Sequence, residues 1–370
     1  MVLKFKCQDS WNCECGREHH IPLQRVLFRN DLLSVIEDVM NDLNIGKRCL
    51  IVEDSTTKAV VGGQVEESLK RAGYTVDQEI VERADSLNVA RVREHLHGFE
   101  FAVAVGGGTP IDVTKMATYE KDLPFISFPT ALSHDGIASP IASITTNGVK
   151  ESKRAQPPIC VMADLGILLK APSRMTAAGC GDLLAKLTSL KDWQLGRDEK
   201  GEYYCRRSAH LALQALHSVV RLDYAPRSLD QVNELADALV NCGVSMILAG
   251  SSRPASGAEH LFSHYLDRNA SRPAMHGEQC ALGTLLLAKY HTEYNPHWYD
   301  QPAYQWQNIL RILERIMLPS KIDQLGIDRR LAVDALTQAA RIRPERYTIL
   351  HKRPISLAEA RRLLEDTSAA

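Results

Sequence analysis

Residues 101–140 read FAVAVGGGTPIDVTKMATYEKDLPFISFPTALSHDGIASP, and the reading of this stretch decides the fold. Phe101 to Val105 are apolar without a break, which suits a strand covered on both faces. Gly106, Gly107 and Gly108 follow, and Thr109, Pro110 and Ile111 lead into a helix. Glycines let a ligand approach the backbone, and a helix N-terminus offers free N–H groups with a partial positive charge. A strand running through glycines into a helix is therefore a device for holding phosphate. The three glycines do not follow the G-x-G-x-x-G spacing of the dinucleotide fingerprint. A second apolar strand, Phe125 to Phe128, ends in Pro129-Thr130 and the polar loop Ser133-His134-Asp135-Gly136.

Strands and helices alternate around this stretch. Asp31 to Asn44 carries Leu32, Ile36, Val39 and Leu43 on one helical face, with Asn30 or Asp31 as the N-cap and Gly46 as the stop. Cys49 to Val52 is another covered strand, with Glu53-Asp54 at its carboxyl end. Helices are expected over 62–72 and 89–97, and a strand begins at Gly73-Tyr74-Thr75-Val76. Residues 145–158 read as a hairpin or mobile loop, and Ile159 to Ala163 is an apolar run ending at Asp164. Such alternation implies a mostly parallel sheet, which binds ligands at the carboxyl ends of its strands. Asp54 and the three glycines occupy such ends. After about residue 165 the patterns become long and amphipathic, as in 182–193, 208–221, 229–249 and 282–290, and no strand is expected. The organisation read from this is an α/β Rossmann-like domain with a parallel sheet over residues 1–168 and an all-α domain over 169–370.

The bulk composition narrows the partners. The 370 residues are 45% hydrophobic and 24% charged with a net charge of −1, so neither nucleic acid nor a membrane surface is expected as the main partner. No apolar run approaches the ~20 residues that span a bilayer. The N-terminus lacks the apolar core of a signal peptide, and a cytoplasmic location is expected. Nine scattered cysteines, an odd number, do not form a disulfide framework. Cys13-Glu14-Cys15-Gly16, followed by His19-His20, invites a zinc reading. The single residue between the cysteines is shorter than the spacing of structural zinc motifs, so a hairpin turn is expected instead.

Three segments of the helical half carry unusual polar residues. In Ala177-Ala178-Gly179-Cys180-Gly181-Asp182 the glycines are expected to tighten a helix entry, placing Asp182 in the first turn. In Gly257 to His264, the pair His260 and His264 shares one helix face, a common way to aim two imidazoles at one centre. His276-Gly277-Glu278 begins a further helix. One carboxylate with two or three imidazoles suffices for a metal site with open positions for water or substrate, and zinc, nickel, iron and cobalt all suit such donors. Spacing alone assigns both histidines of the pair to the metal.

The motifs GGGTPIDVTK (106–115), SFPTALSHDGIASPIAS (127–143), GCGDLLAK (179–186), GAEHLFSH (257–264), HGEQCALGT (276–284) and RPERYTIL (343–350) together resemble the sn-glycerol-1-phosphate dehydrogenase family. That family lies within the dehydroquinate-synthase-like, iron-containing alcohol dehydrogenase superfamily, and the Cys-rich N-terminus is similar to that of its bacterial members. The resemblance implies a dehydroquinate-synthase-like fold, NAD(H) or NADP(H), one divalent metal (zinc or nickel) and a homo-oligomer. It implies that Asp54 binds the adenosine ribose and that Gly106, Gly107, Gly108, Thr109 and Pro110 hold the pyrophosphate. Thr130, Ala131, Leu132, Ser133 and Ser139 would line the nicotinamide side. Asp182, His260 and His276 would be the metal ligands, with Asp182 also touching substrate. Asp135 and His264 would contact substrate, and His264 would relay a proton. The resemblance thus divides the histidine pair that spacing gives wholly to the metal.

The implied reaction interconverts dihydroxyacetone phosphate and sn-glycerol 1-phosphate. Lys150, Lys153, Arg154 and Arg346 are the candidate cations for the substrate phosphate. An acid at the end of the strand favours the free 2′-hydroxyl of NAD, and nearby Lys58 leaves NADP open. The alternatives are a dehydrogenase of the same fold acting on another phosphate, phosphonate or polyol, and a dehydroquinate-synthase-like cyclase. The cyclases carry a glutamate where Asp182 stands, which counts against that reading.

Overall fold

A computed structural model describes residues 5–370 of the chain. These fall into two compact units. One comprises the chain up to Pro172 together with Arg227–Ile247, and the other comprises Ser173–Pro226 with Leu248–Ala370.

The first unit opens with an antiparallel hairpin of β1 (Ser10–Asn12) and β2 (Glu18–His20). Strands β3 (Arg25–Arg29), β4 (Arg48–Glu53), β5 (Thr75–Ile80), β6 (Phe101–Gly106) and β7 (Phe125–Pro129) follow, interleaved with helices. A second antiparallel hairpin, β8 (Ile141–Thr146) and β9 (Val149–Arg154), precedes β10 (Cys160–Asp164). Six of these strands form one parallel sheet in the order β3-β10-β7-β6-β4-β5. Every residue of β6, β7 and β10 is buried, as expected for strands that helices cover on both faces. The helices are α1 (Ile36–Leu43), the single turn α2 (Ser55–Thr57), α3 (Gly63–Arg71), α4 (Ser86–His95), α5 (Gly108–Lys121) and α6 (Leu165–Lys170). Alternate strand residues Cys49, Ile51, Phe101, Val103, Val105, Ile126, Phe128, Cys160 and Met162 join Leu32, Ile36, Val39, Met40 and Leu69 in one core. The period-2 pattern of the strands thus meets the helical period of 31–44 and 62–72 on one face of the sheet.

The second unit is helical, and no strand follows Asp164 among the described residues. Its elements include α7 (Ser173–Leu184), α8 (Lys186–Lys200) and α9 (Arg206–Val220). After α10 (Leu229–Ala249) come α11 (Ala258–Asn269), α12 (His276–Tyr294), α13 (Trp306–Arg315), α14 (Arg329–Gln338), α15 (Ile349–Lys352) and α16 (Leu357–Asp366).

Four expectations need correction. The division is not a single cut after residue 168, because most of α10 groups with the first unit. That same helix is long and apolar enough to cross a bilayer, with mean hydropathy 1.3, but 83% of its apolar window is buried in the protein. The segment after Asn30 starts as a 3-10 turn, and neither Asn30 nor Asp31 caps it. Asp164, at the end of β10, does so from 132 residues away: its Oδ2 accepts from Leu32 N at 2.8 Å while its Oδ1 accepts from Ile167 N at 3.1 Å. The stop is Asn44 in the left-handed conformation, two residues before Gly46.

The fourth correction concerns Asp182, which lies in the C-terminal half of α7 and not in a first turn. Gly179 and Gly181 are helix-interior residues. Gly181 serves close approach: a Cβ on Gly277 of α12 would lie 2.6 Å from the carbonyl carbon of Ala178, and one on Gly181 would lie 3.0 Å from that of Gly277. Helices α7 and α12 therefore meet backbone to backbone, and this brings Asp182 and His276 together.

Candidate active site

The candidate nucleotide-binding features of the first unit gather at the carboxyl ends of β4, β6 and β7. Gly106 and Gly108 are glycines because of their neighbours: a Cβ would lie 2.6 Å from Pro110 Cγ at the first and 2.5 Å from His134 Nε2 at the second. Gly107, the N-cap of α5, has no atom within 4 Å of where its Cβ would project. It presents bare backbone at the start of a 14-residue helix, a cradle that suits a pyrophosphate. Gly107→Ala is therefore expected to leave the melting temperature within about 2 °C of wild type and to raise the nucleotide Kd about tenfold, measured by scanning calorimetry and titration calorimetry.

Asp54 sits at the end of β4, where the sequence puts it, and its Oδ1 accepts from Thr57 N at 2.7 Å as the N-cap of α2. Glu53 beside it is fully buried, and neither carboxylate oxygen has a hydrogen-bond partner. Burial pushes its pKa up to about 7, with Lys58 opposing. An acid raised on folding binds its proton more tightly in the folded state, so its stability penalty is absent below the unfolded value and grows as pH rises towards 7. Glu53→Gln is expected to stabilise the protein by on the order of 2–3 kcal/mol at about pH 8 and by little at about pH 5, read from urea melts.

The loop 130–139 is pinned by a lysine that sequence reasoning left without a role. Lys115 is completely buried in α5, and its Nζ donates to Gly136 O at 2.8 Å, Ile141 O at 2.7 Å and Asp112 Oδ1 at 3.2 Å. Asp112 Oδ2 accepts from Ser143 N at 3.0 Å, so α5 grips both sides of the loop. Within the loop, His134 Nδ1 accepts from Gly136 N at 2.9 Å, and Asp135 Oδ2 accepts from the Cys242 thiol of α10 at 3.1 Å. Thr130 N donates to Gly106 O at 3.1 Å. Ala131, Leu132 and Ser139 are buried, and Ser133 is half-buried.

The second unit holds the metal-type donors. His260 and His264 lie on α11, His276 opens α12 and Asp182 comes from α7. The His260 and His276 rings are 4.9 Å apart, and His260 Nε2 lies 3.7 Å from Asp182 Oδ1. The His264 ring stands further off, at 6.5 Å from His260 and 6.2 Å from His276. His260 Nδ1 donates to Glu259 Oε1 at 2.7 Å, which leaves Nε2 to face the centre. Ser263 Oγ donates to Gln279 Oε1 at 2.7 Å, so towards His276 Nδ1, 3.2 Å away, it can only accept. His276 Nδ1 therefore carries the hydrogen, and its Nε2 offers a lone pair as well. A second ring of acceptors that fixes the imidazole tautomers is the usual support of a metal site.

Charge suits a cation too. Burial alone would raise the Asp182 carboxyl, but Lys186, whose Nζ is 2.9 Å from Oδ1, then His260 and His276, hold it well below the usual range. Glu259 is also held low against its burial, by His260, Thr188 and the Gly257 amide. Burial opposes a charge on His260, yet Cys280, Asp182 and Glu259 keep its pKa well above the ordinary value. The pocket thus favours positive charge, and the set fits a divalent metal. Cys280 adds a sulfur 3.6 Å from His276 Nε2, and donor atoms of His260, His276 and Cys280 lie within 4.8 Å of one another. Burial raises that thiol's pKa, and His260 opposes the shift.

Buried Asp192 of α8 aims the whole of α11. Its Oδ2 accepts from Ala258 N at 2.7 Å and its Oδ1 from Ile349 N at 2.6 Å, capping two helices at once. Sequence reasoning missed Glu259, Ser263, Gln279, Lys186 and Asp192. A signal existed for Lys186 and Cys280, each four residues beyond a candidate ligand in the sequence. Two of the candidate phosphate cations have partners within their own units. Lys153 Nζ donates to Thr146 Oγ1 at 2.7 Å within its own hairpin, and Arg346 binds Ser256 O at 2.8 Å and Ser252 Oγ at 2.9 Å.

Comparison with known proteins supplies the family. Residues 27–172 match the family model for iron-containing alcohol dehydrogenase. The chain is 42% identical to glycerol-1-phosphate dehydrogenase [NAD(P)+] of Thermococcus sibiricus, over 90% of this chain and 93% of that one. The corresponding protein of Methanosarcina barkeri is 41% identical over 88% and 89% of the two chains.

The chain belongs to the glycerol-1-phosphate dehydrogenase family.

Solved structures of more distant relatives share the fold of this family. A probable glycerol dehydrogenase from Sinorhizobium meliloti has a TM-score of 0.73 at 20% identity, covering 94% of this chain and 97% of that one. Sulfoacetaldehyde reductase from Bifidobacterium kashiwanohense, solved with NAD+, has a TM-score of 0.72 at 18% identity, covering 95% and 98%. In this chain GGGTPIDVTK turns from β6 into α5, and GAEHLFSH and HGEQCALGT carry the imidazoles of α11 and α12.

Proposed function

We propose that this protein interconverts dihydroxyacetone phosphate and sn-glycerol 1-phosphate, using NAD(H) or NADP(H) and one divalent metal, zinc or nickel. The observation that carries the chemistry is the tautomer-fixed pair His260 and His276 beside an anionic Asp182. The substrate follows from relatives about 40% identical over most of the chain. When bound, the metal supplies Lewis acidity at the C2 oxygen, and the nicotinamide gives or takes the hydride.

The rest falls to the protein's own residues. Asp182, His260 and His276 hold the cation, and Glu259 and Ser263 fix the two rings. His264 exchanges the proton of the C2 hydroxyl, a role suited to an imidazole that stands off the other two. Asp135 orients a substrate hydroxyl, and the α5 N-terminus receives the dinucleotide pyrophosphate. Asp54 binds the ribose, and Thr130, Ala131, Leu132, Ser133 and Ser139 line the nicotinamide. The enzyme works in the cytoplasm as a homo-oligomer.

One absorbance trace tests this reading. Protein supplied with NADH and zinc or nickel should oxidise NADH when dihydroxyacetone phosphate is added. Turnover with another carbonyl compound alone would make it a different dehydrogenase of the same fold. Turnover of a sugar phosphate with no net change in NADH would make it a cyclase.

A further inference from the structure

The β1–β2 hairpin carries two thiols and an imidazole for which the reaction above has no use. Cys13 N donates to Arg17 O and Gly16 N donates to Cys13 O, each at 3.0 Å, which folds Cys13 to Arg17 into a tight turn. His19 on β2 is buried, and its ring packs 5.4 Å from that of Trp11 on β1. Cys13 and Cys15 are half-buried and not joined in a disulfide. The two sulfurs and a His19 ring nitrogen lie within 4.8 Å of one another, and Cys15 Sγ is 3.2 Å from His19 Nε2.

We infer that this hairpin binds a zinc ion through Cys13, Cys15 and His19, a second metal site distinct from Asp182, His260 and His276. Zinc with bonds of ~2.3 Å to sulfur and ~2.0 Å to nitrogen holds tetrahedral ligand atoms roughly 3.5–3.8 Å apart, so the observed cluster closes on an ion with small side-chain movements. Two thiols and an imidazole are soft donors that favour zinc over magnesium or calcium. Binding releases the thiol protons to solvent, and a water molecule completes the tetrahedron. The hairpin also needs a staple. Its strands are three residues each, and an isolated two-stranded hairpin is at best marginally stable in water. The one-residue spacing that counted against zinc in the sequence is offset by the turn, which returns His19 beside Cys15.

The test uses the full chain purified without chelator. Metal analysis should find two divalent ions per chain, one lost in Cys15→Ser and the other lost in His260→Ala. Cys15→Ser should keep NADH-linked turnover within about twofold of wild type, because the hairpin ion takes no part in the chemistry. Cobalt-loaded wild type should show a thiolate-to-cobalt absorption band that persists in Cys280→Ser and disappears in Cys13→Ser. The wild-type spectrum decides the matter even if a hairpin variant misfolds. One ion per wild-type chain, no thiolate band, or a Cys13–Cys15 disulfide in the purified protein would each overturn the inference.

Discussion

His260→Ala should remove one metal ion per chain and lower turnover at least 10³-fold, with the helical content of the protein unchanged. A metal that stabilises developing charge contributes several kcal/mol to the transition state, and each 1.36 kcal/mol is about tenfold in rate. Neighbouring variants separate the roles. Glu259→Gln keeps the His260 ring but weakens the acceptor at its Nδ1, so metal affinity should fall about 10–100-fold and excess metal should restore the rate. His264→Ala should retain the metal and lose about 10²–10⁴-fold in turnover, as expected for removal of a general acid–base. If His264→Ala empties the centre instead, His264 is a ligand and the division of the pair is wrong. Metal content by mass spectrometry and NADH absorbance read all three variants.

The second large effect is expected from a single methyl group. Gly→Ala in a helix interior ordinarily stabilises by about 1 kcal/mol. At Gly277 the sign should reverse, because the new Cβ would lie 2.6 Å from the carbonyl carbon of Ala178, and closer still to its oxygen. Backbone cannot step aside as a flexible side chain can, so α7 and α12 must separate. Overpacking of this kind costs about 1–3 kcal/mol, and rigid backbone on both sides argues for the upper end. The same displacement moves His276 away from Asp182, so Gly277→Ala should lose metal as well as stability. Urea melts with and without added metal measure both. A Gly277→Ala protein as stable as wild type would mean that the two helices do not meet this closely.

That contact also shows where the sequence stopped being legible. The covered strands could be read because a parallel strand buried on both faces is an unbroken apolar run, as in Phe101 to Val105 and Cys160 to Ala163. The glycine-to-helix turn could be read because it is local. Gly179 and Gly181 could not, since a glycine in a helical pattern signals either a terminus or a close neighbour, and only the position of α12 decides between them. Asp164 capping Leu32 is a similar case, because the shared carboxylate joins residues 132 apart. The proposed metal donors were legible as residue types at helical spacing. Their orientation was not, because Glu259, Ser263 and Gln279 look like ordinary helix residues until α11 and α12 face each other.

The placement of α10 has a consequence for dissecting this enzyme. The family match ends at residue 172, where the alternation of strands and helices also ends, which invites a truncation there. Yet the first unit is completed by Arg227–Ile247, and Cys242 from that stretch donates to Asp135 in the loop beside the glycines. A fragment stopping at 172 would lack this buttress and expose the surface that α10 covers. On the ribosome, the nucleotide-binding half cannot finish folding until some seventy-five further residues have been made. The nucleotide-binding half is thus not autonomous in the present chain, and domain-swap engineering should carry α10 along.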